Sequence, residues 1–256
     1  MDKILKIEKL KYKDILSDIT FSLKEKTFNI LVAANGSGKT TLVNCIRNIN
    51  TYKGTILFNN FIINDESYKK IGFFLDEPIY MEDILFNELI LFLKNINCDE
   101  ETAKKRIYEV ANKFESIDLL FKDIKSLTYR EKVFINFIFS IIHEPKLLII
   151  DNDLEIFDEK NKKQILDYIK KQKKLTILFI TNNNYYFSLA DNILFLDQGK
   201  IILTGTLEEV QAKEKTFIKC GSCLPFEIDL SNKLISYELI DGVMTDTKEM
   251  VNQIWQ

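Results

Sequence analysis

Residues 28–41 decide the fold, and they read FNILVAANGSGKTT. The run from Phe28 to Ala33 is apolar, as is typical of a strand buried on both faces of a sheet. The residues from Leu42 to Ile49 then place apolar side chains at helical spacing. A strand, a loop of small residues and a helix in this order form the context that a phosphate-binding loop requires.

The loop matches most of the Walker A pattern, G-x-x-x-x-G-K-[ST]. Gly38, Lys39 and Thr40 fit the pattern, and Ala33 stands in place of its first glycine. Gly36 and Gly38 allow backbone N–H groups to converge on phosphates. Lys39 adds a positive charge at the β- and γ-phosphates, and Thr40 offers a hydroxyl to Mg²⁺. A glycine-rich turn without a ligand is the alternative, which the strand–loop–helix context disfavours. The candidate nucleotide-binding residues are Ala33, Ala34, Asn35, Gly36, Ser37, Gly38, Lys39, Thr40 and Thr41.

A second candidate for the metal site is Asp151. It ends the apolar run that begins at Leu147, which is the setting of a Walker B aspartate. A carboxylate at this point can hold Mg²⁺ directly or through water. An aspartate can also end a strand by chance, but its position after a Walker A loop favours the metal site. We therefore predict that Thr40 and Asp151 contribute to one Mg²⁺ site.

The order of strand-like and helix-like segments predicts an α/β fold. The opening segment alternates in the manner of antiparallel strands, and residues from about 78 to 144 are almost wholly helical. We therefore expect a P-loop NTPase core with a parallel sheet, an antiparallel β subdomain and a helical insertion subdomain. The later expected elements are a strand at 147–151, a helix at 160–171, a strand at 176–181, a helix at 185–190, strands near Ile193 and Ile201, a short helix after Thr206 and a strand-like run from Leu234 to Ile240.

Composition excludes some classes of function. A formal net charge of -3 gives no basic field for nucleic acid, so no nucleic-acid partner is expected. No apolar run approaches the roughly 20 residues that span a bilayer, and we expect a cytoplasmic chain. Cys220 and Cys223 form a C-x-x-C pair, which could be a redox couple or half a zinc site. Because no further cysteine or histidine has metal spacing, reduced structural thiols are the expected state.

With these elements in place, the chain resembles the nucleotide-binding domains of ATP-binding cassette (ABC) transporters over residues 1–210. The resemblance implies ATP and Mg²⁺ as cofactors, with Tyr12 stacking on adenine. It aligns Asp76 with the glutamine of the Q-loop, a catalytic and metal-binding position. The residues that follow, 79–84, are similar to those of export-type members. Residues 211–256 form a C-terminal extension whose role stays open.

Three further segments carry the resemblance. Phe157 and Asp158 match the end of the D-loop, and residues 199–206 resemble the hairpin near the end of the domain. Residues 126–131 stand where the L-S-G-G-Q signature belongs. In the family, the signature contacts the ATP of the other subunit across a head-to-tail dimer. The signature residues are Thr128, Tyr129, Arg130 and Glu131.

The departures from the family concern hydrolysis. Asn152 replaces the glutamate that activates the attacking water, and an amide cannot take a proton. Asn182 replaces the switch histidine, which removes a contact to the γ-phosphate. Tyr129 and Arg130 replace the signature glycines, and their side chains should obstruct close approach. Asp153 is a weaker candidate for a displaced base, because successive residues of an extended segment point in different directions.

The sequence therefore predicts an ATP-binding subunit of an export-type ABC transporter, with weak or absent hydrolysis. Its expected partners are an integral membrane subunit and a second ABC subunit, the same chain or a different one. It would lie at the inner face of the cell membrane through that partner. The alternative is a nucleotide-gated regulatory or immunity module on the same scaffold, which would lose hydrolytic residues just as readily.

Overall fold

A six-stranded sheet forms the centre of the chain, in a computed structural model that describes residues 2–75, 80–244 and 247–255. Its strands are β3 (Phe28–Ala33), β6 (Ile71–Phe74), β7 (Leu147–Ile150), β8 (Thr176–Ile180), β9 (Asn192–Asp197) and β10 (Lys200–Gly205). Their order is β10-β9-β3-β8-β7-β6, and every neighbouring pair is parallel except β9 and β10. Strands β7 and β8 are fully buried, which explains their continuous apolar sequences.

A second, antiparallel sheet has the strand order β2-β1-β4-β5. Its alternating sequence buries one face, and that face shares a hydrophobic cluster with the central sheet and the first helix, α1 (Lys39–Ile46). The expected antiparallel subdomain is therefore present. Its strands are β1 (Lys3–Tyr12), β2 (Leu16–Lys24), β4 (Lys53–Phe58) and β5 (Phe61–Ile62).

The expected helical insertion lies between β6 and β7. Its aromatic residues pack into the main core, where the Phe137 ring lies 5.5 Å from Phe74 of β6 and 5.5 Å from Phe114. These contacts join the insertion to the sheet. The remaining helices are α2 (Asp65–Tyr68), α3 (Leu85–Asn95), α4 (Glu100–Lys113), α5 (Tyr129–Ile141), α6 (Glu159–Lys171), α7 (Leu207–Val210), α8 (Glu214–Lys219), α9 (Phe226–Ser236) and α10 (Thr247–Ile254).

The helix expected at 185–190 is present as a 3-10 helix, Asn184–Leu189, and the Asn183 side chain accepts a hydrogen bond from the backbone of Tyr185 at its start. The strand expected in the run from Leu234 to Ile240 was wrong. The run begins inside α9, which ends at Ser236 and buries Ile228 and Ser231 at helical spacing, and residues 237–239 form turns and bends. The described part of the C-terminal extension contains α8 to α10 and no strand.

All four cysteines are free thiols. Burial raises the pKa of the Cys220 thiol to about 11, so this group stays protonated near neutral pH. Within the described ranges, no helix is both long and apolar enough to cross a bilayer.

Candidate functional site

The Walker A loop connects β3 to α1, as the sequence predicted, and two of its glycines have backbone angles that disfavour other residues. Gly36 has a φ of +78° and Gly38 a φ of +104°. A Cβ on Gly36 would enter open space, whereas a Cβ on Gly38 would lie 2.8 Å from Cδ2 of Leu16. Ser37 closes the loop by donating its N–H (3.2 Å) and its Oγ (2.7 Å) to the Ala34 carbonyl. The result is an open cradle beside the start of a helix.

Lys39 presents its ammonium group to this cradle. Nζ donates to the carbonyl of Ala33 at 2.9 Å and to Oδ1 of Asn35 at 3.4 Å. Partial burial lowers the pKa of Lys39, and the charge of nearby Asp151 acts in the opposite direction. Because its present partners in the loop are neutral oxygens, phosphate oxygens would bind this cation more strongly. The arrangement fits a polyphosphate ligand.

Asp151 and Asn152 follow β7 at the edge of the sheet where the parallel strands end, which is also where the Walker A loop follows β3. The backbone N–H of Asp151 donates to the carbonyl of Phe74, at the end of β6, at 3.0 Å. Asn152 is only 8% exposed, and its Nδ2 finds no hydrogen-bond partner among the described residues. An unpaired buried amide has a free-energy cost that a bound water or phosphate oxygen would remove. The adjacent residue, Asp153, accepts a hydrogen bond from the Glu155 backbone at 3.0 Å.

Thr40 lies in the first turn of α1 with its side chain exposed. Its hydroxyl and the Asp151 carboxylate are oxygen ligands of the kind that Mg²⁺ prefers. No group of three or more His, Cys, Asp or Glu side chains suited to a metal occurs within the described ranges. A Mg²⁺ ion at this edge would therefore take its other ligands from phosphate and water. Asp76, the third expected metal ligand, lies outside the described residues.

Asn182 lies beside the start of the Walker A loop, just after β8. Its Oδ1 accepts a hydrogen bond from the backbone N–H of Ala33 at 3.0 Å. Ala33 is fully buried, so this bond satisfies a donor that water does not reach. Asn182, in the switch position, therefore stabilises the start of the Walker A loop.

Tyr12 ends β1, in a hairpin that contacts the same loop. Residues 13–15 form its turn, and Ile15 donates its N–H to the Tyr12 carbonyl at 3.1 Å. Leu16 and Ile15 are the nearest side chains to Gly38. The Tyr12 ring is half-buried, with the Lys13 ammonium 5.1 Å from its centre. The hairpin thus brings an aromatic ring to the neighbourhood of the loop, where stacking on adenine was expected.

The signature residues begin α5. Thr128 caps the helix by accepting a hydrogen bond from the Glu131 N–H at 3.3 Å, and the Glu131 carboxylate accepts from the Thr128 N–H at 2.8 Å. Hydrogen bonds from Thr128 and then Lys122 lower the pKa of Glu131 to about 2. Tyr129 and Arg130 are exposed. A carboxylate thus occupies the helix end that the family offers to a phosphate, with the Lys122 ammonium 3.0 Å from it and Arg130 next to it in the chain.

Glu155 is a residue that the sequence analysis missed. Its carboxylate accepts hydrogen bonds from Lys162 Nζ (2.8 Å), Tyr186 Oη (2.9 Å) and Asn183 Nδ2 (3.0 Å). The hydrogen bond from Lys162 is the main cause of its lowered pKa. Glu155 therefore ties the segment after Asp151 to the segment after Asn182. Only its place before Phe157 and Asp158, at the end of the expected D-loop, hinted at such a role.

Asn136 of α5 is a second missed residue. Its Oδ1 accepts a hydrogen bond from Tyr80 Oη at 2.7 Å, and its Nδ2 donates to the Leu75 carbonyl at 3.4 Å. These two contacts lie on either side of residues 76–79 and link the helix that carries the signature to both flanks. Burial raises the pKa of Tyr80. A lone asparagine inside an apolar helix gave no reason to expect this link.

Comparisons with known proteins identify the family. The family described as "ABC transporter" matches residues 16–154, more than half of the 256 residues. The chain is 30% identical over 263 residues to protein MG304 of Mycoplasma genitalium, which carries the name of an ABC transporter ATP-binding protein; the alignment covers 94% of this chain and 97% of the relative. It is also 30% identical over 233 residues to the energy-coupling factor transporter ATP-binding protein EcfA2 of Caldanaerobacter subterraneus, covering 86% of this chain and 82% of the relative.

Solved structures show the same fold. The ATP-binding subunit of an ABC transporter superposes with a TM-score of 0.78 at 20% identity, covering 86% of this chain and all of that chain. The protein cbiO1 from Clostridium perfringens, part of the complex cbiONQ, superposes with a TM-score of 0.71 at 23% identity, covering 93% and 99%. The match of the family over the Walker A and Walker B segments, on this fold, means that the chain belongs to the ABC transporter family as an ATP-binding subunit.

Proposed function

We propose that this subunit binds Mg-ATP at residues 33–41 and drives or gates a separate membrane subunit, with weak or absent hydrolysis of its own. When bound, ATP supplies the anionic phosphates and Mg²⁺ neutralises part of their charge. Gly36 and Gly38 leave the cradle open for the phosphates, Lys39 places a positive charge beside them, and Thr40 and Asp151 would hold the metal. Tyr12 would stack on the base. The observation that carries this proposal is the open, positively charged loop with glycines at the two positions of positive φ.

Weak hydrolysis follows from the side chains at the reacting end. Asn152 can orient a water molecule through its unpaired Nδ2, but it cannot accept the proton that the water must lose. Asn182 already uses its side-chain oxygen to hold Ala33. A positioned general base contributes about 10²- to 10⁴-fold to a rate. Its loss is sufficient to make turnover slow while binding persists.

The names of the relatives change the expected transporter group. The energy-coupling factor ATP-binding proteins match at 30% and 25% identity, over 86% and 85% of this chain. We propose a partner of the energy-coupling factor, import-type group in place of the export-type group. The export hypothesis depended on residues 79–84, of which the first lies outside the described residues.

The partners follow from this proposal. An integral membrane subunit would supply the pore, and a second ABC subunit, the same or different, would contribute the opposite half of each nucleotide site. The chain would then lie at the inner face of the membrane. The relatives named here are transporter proteins, which favours this role over the regulatory or immunity module.

The test combines nucleotide binding with phosphate release on the same preparations. We expect the purified chain to bind Mg-ATP, with Lys39→Ala abolishing binding, and to release phosphate no faster than that variant. Asn152→Glu should raise release by about 10²-fold, the lower end for a positioned base, because Asn182 is unchanged. Asp153→Asn is the matched control for a displaced base and should have no effect on release.

Each arm can fail separately. Absence of ATP binding by the unaltered chain would refute the function. Release that exceeds the Lys39→Ala blank would show that Asn152 and Asn182 do not disable the site. If Asp153→Asn removes that release, Asp153 is the base. An Asn152→Glu variant that binds ATP without faster release would refute the loss of the base as the limiting defect.

A further inference from the structure

The C-terminal extension reaches the nucleotide site through one tight turn. Residues 220–225, which we name the C-terminal turn, connect α8 to α9. Gly221 has a φ of +77°, and a Cβ placed on it would lie 3.3 Å from Nδ2 of Asn182 and 3.5 Å from Cα of Ala34. The turn therefore packs against the switch position and the Walker A loop together.

The extension is held firmly on the strand next to the loop. The Phe217 ring is fully buried, 4.7 Å from the ring of Phe195 in β9. The Lys219 ammonium pairs with the Asp197 carboxylate at 2.6 Å. Because Leu196 of β9 lies opposite Ala33 in the parallel sheet, these anchors fix the turn relative to the Walker A strand.

Three hydrogen bonds then join the turn to residues 182–184, which we name the switch segment. Ser222 Oγ donates to the main-chain carbonyl of Asn182 at 2.6 Å. Asn184 Nδ2 donates to the carbonyl of Leu224 at 2.8 Å and contacts Cys223 Sγ at 3.1 Å. The turn therefore binds the switch segment at the main-chain carbonyl of Asn182 and at the side chain of Asn184.

These bonds continue to the Walker lysine. Ser222 holds the carbonyl of Asn182, the Asn182 side chain accepts from the Ala33 N–H at 3.0 Å, and the Ala33 carbonyl accepts from Lys39 Nζ at 2.9 Å. Lysine at this position of a P-loop reaches the β- and γ-phosphates. A change at the turn can therefore alter where the ammonium group lies.

We propose that Ser222 is a positioning residue of the nucleotide site, which sets the preference for ATP over ADP through Asn182, Ala33 and Lys39. This inference rests on the proposed binding of ATP at the Walker A loop. Ser222 touches no phosphate itself. Its hydroxyl fixes the switch segment, so that Lys39 is held where it contacts the terminal phosphate as well as the β-phosphate.

The experiment measures the dissociation constants of Mg-ATP and Mg-ADP by calorimetry on the full chain. Ser222→Ala should weaken ATP binding by about three- to tenfold, the range that corresponds to one hydrogen bond, and ADP binding by less. Ser222→Thr keeps the hydroxyl and should restore the preference. Ser236→Ala is the matched control, because Ser236 also donates to a carbonyl at 2.6 Å in the extension but that carbonyl belongs to Lys233.

The outcomes separate the two proposals. If the unaltered chain binds neither nucleotide, the proposed function fails and this inference fails with it. If the unaltered chain binds ATP but Ser222→Ala weakens both nucleotides equally, or neither, only the positioning role is refuted. Thermal melting without nucleotide checks folding. Asn184→Ser removes the other link and should give the same selective loss should Ser222→Ala not fold.

Discussion

Replacing Asn182 by alanine tests whether this asparagine supports the Walker A loop. Its Oδ1 accepts the backbone N–H of Ala33 at 3.0 Å, beyond the last backbone bond between β3 and β8, where Thr181 donates to Leu31 at 3.1 Å. Ala33 has no exposed surface, so alanine at 182 leaves a buried donor unpaired. Such a loss costs about 1–3 kcal/mol.

The half-buried position of Asn182 places the expected value in the lower part of that range. Water can enter the space that the amide leaves, so we expect a loss of about 1–2 kcal/mol in the free energy of unfolding. Urea denaturation measures it, with the m value unchanged because the exposed surface is the same. Asn182→Asp keeps an acceptor oxygen at the same place and should lose less than Asn182→Ala. The alanine variant should also weaken ATP binding, since Ala33 holds Lys39.

Two results would refute this reasoning. A loss below about 0.5 kcal/mol, the usual size for surface changes, would mean that the bond to Ala33 does not contribute. Equal losses for the alanine and aspartate variants would mean that the acceptor oxygen is not the group that matters. A changed m value would point instead to an altered denatured ensemble.

Two further predictions concern pH and backbone geometry. His143 is buried with its Nε2 3.2 Å from the Ile71 carbonyl, and burial lowers its pKa. In the unfolded state the pKa of this histidine is higher, near 6.5, so the unfolded state takes up the proton first as the pH falls. The free energy of unfolding should therefore drop below about pH 6.5, by at most about 1.4 kcal/mol per pH unit. His143→Gln should reduce this drop in urea titrations at pH 7.5 and 5.5, and an unchanged pH dependence would contradict the assignment to His143. Gly199 has a φ of +72°, and a Cβ there would collide with the Ile15 carbonyl. Gly199→Ala should therefore lower the free energy of unfolding by about 1–3 kcal/mol. It should also weaken ATP binding, since Gly199 donates its N–H to the Ser37 carbonyl at 3.1 Å. Gly242→Ala is the control, because a Cβ at Gly242 would have nothing within 4 Å, and equal melting temperatures for the two variants would refute the predicted strain.

The Walker A loop could be predicted because its residues are contiguous. Gly36 to Thr40 carry their chemistry within one turn of chain, and the flanking strand and helix follow from apolar spacing alone. Asp151 was equally accessible, because a buried strand must end where its first carboxylate appears. The parallel core followed from the alternation of such strands with helices.

The supporting contacts could not be predicted from spacing. Ser222 lies 40 residues from Asn182, and Glu155 lies 31 residues from Tyr186. Neither belongs to a pattern, since a hydroxyl or carboxylate in a turn is ordinary surface chemistry. The run from Leu234 gave the wrong element because short apolar runs do not distinguish a strand from a helix, and burial of the α9 face decided it.

The distribution of contacts supports the proposed combination of ATP binding and weak turnover. Among the described residues, four separate segments meet the Walker A loop: the hairpin with Leu16, the hairpin with Gly199, the switch segment with Asn182, and the C-terminal turn. Each segment forms a hydrogen bond with the loop backbone or packs against it. None of these contacts involves Asn152, the residue in the position of the general base. On the proposed function, the asparagines at positions 152 and 182 account for weak hydrolysis, while Asn182 also accepts the structural hydrogen bond from Ala33. We therefore expect Asn152→Glu to raise phosphate release without disturbing the Walker A loop, whereas a substitution at Asn182 also alters the hydrogen bond that Ala33 donates.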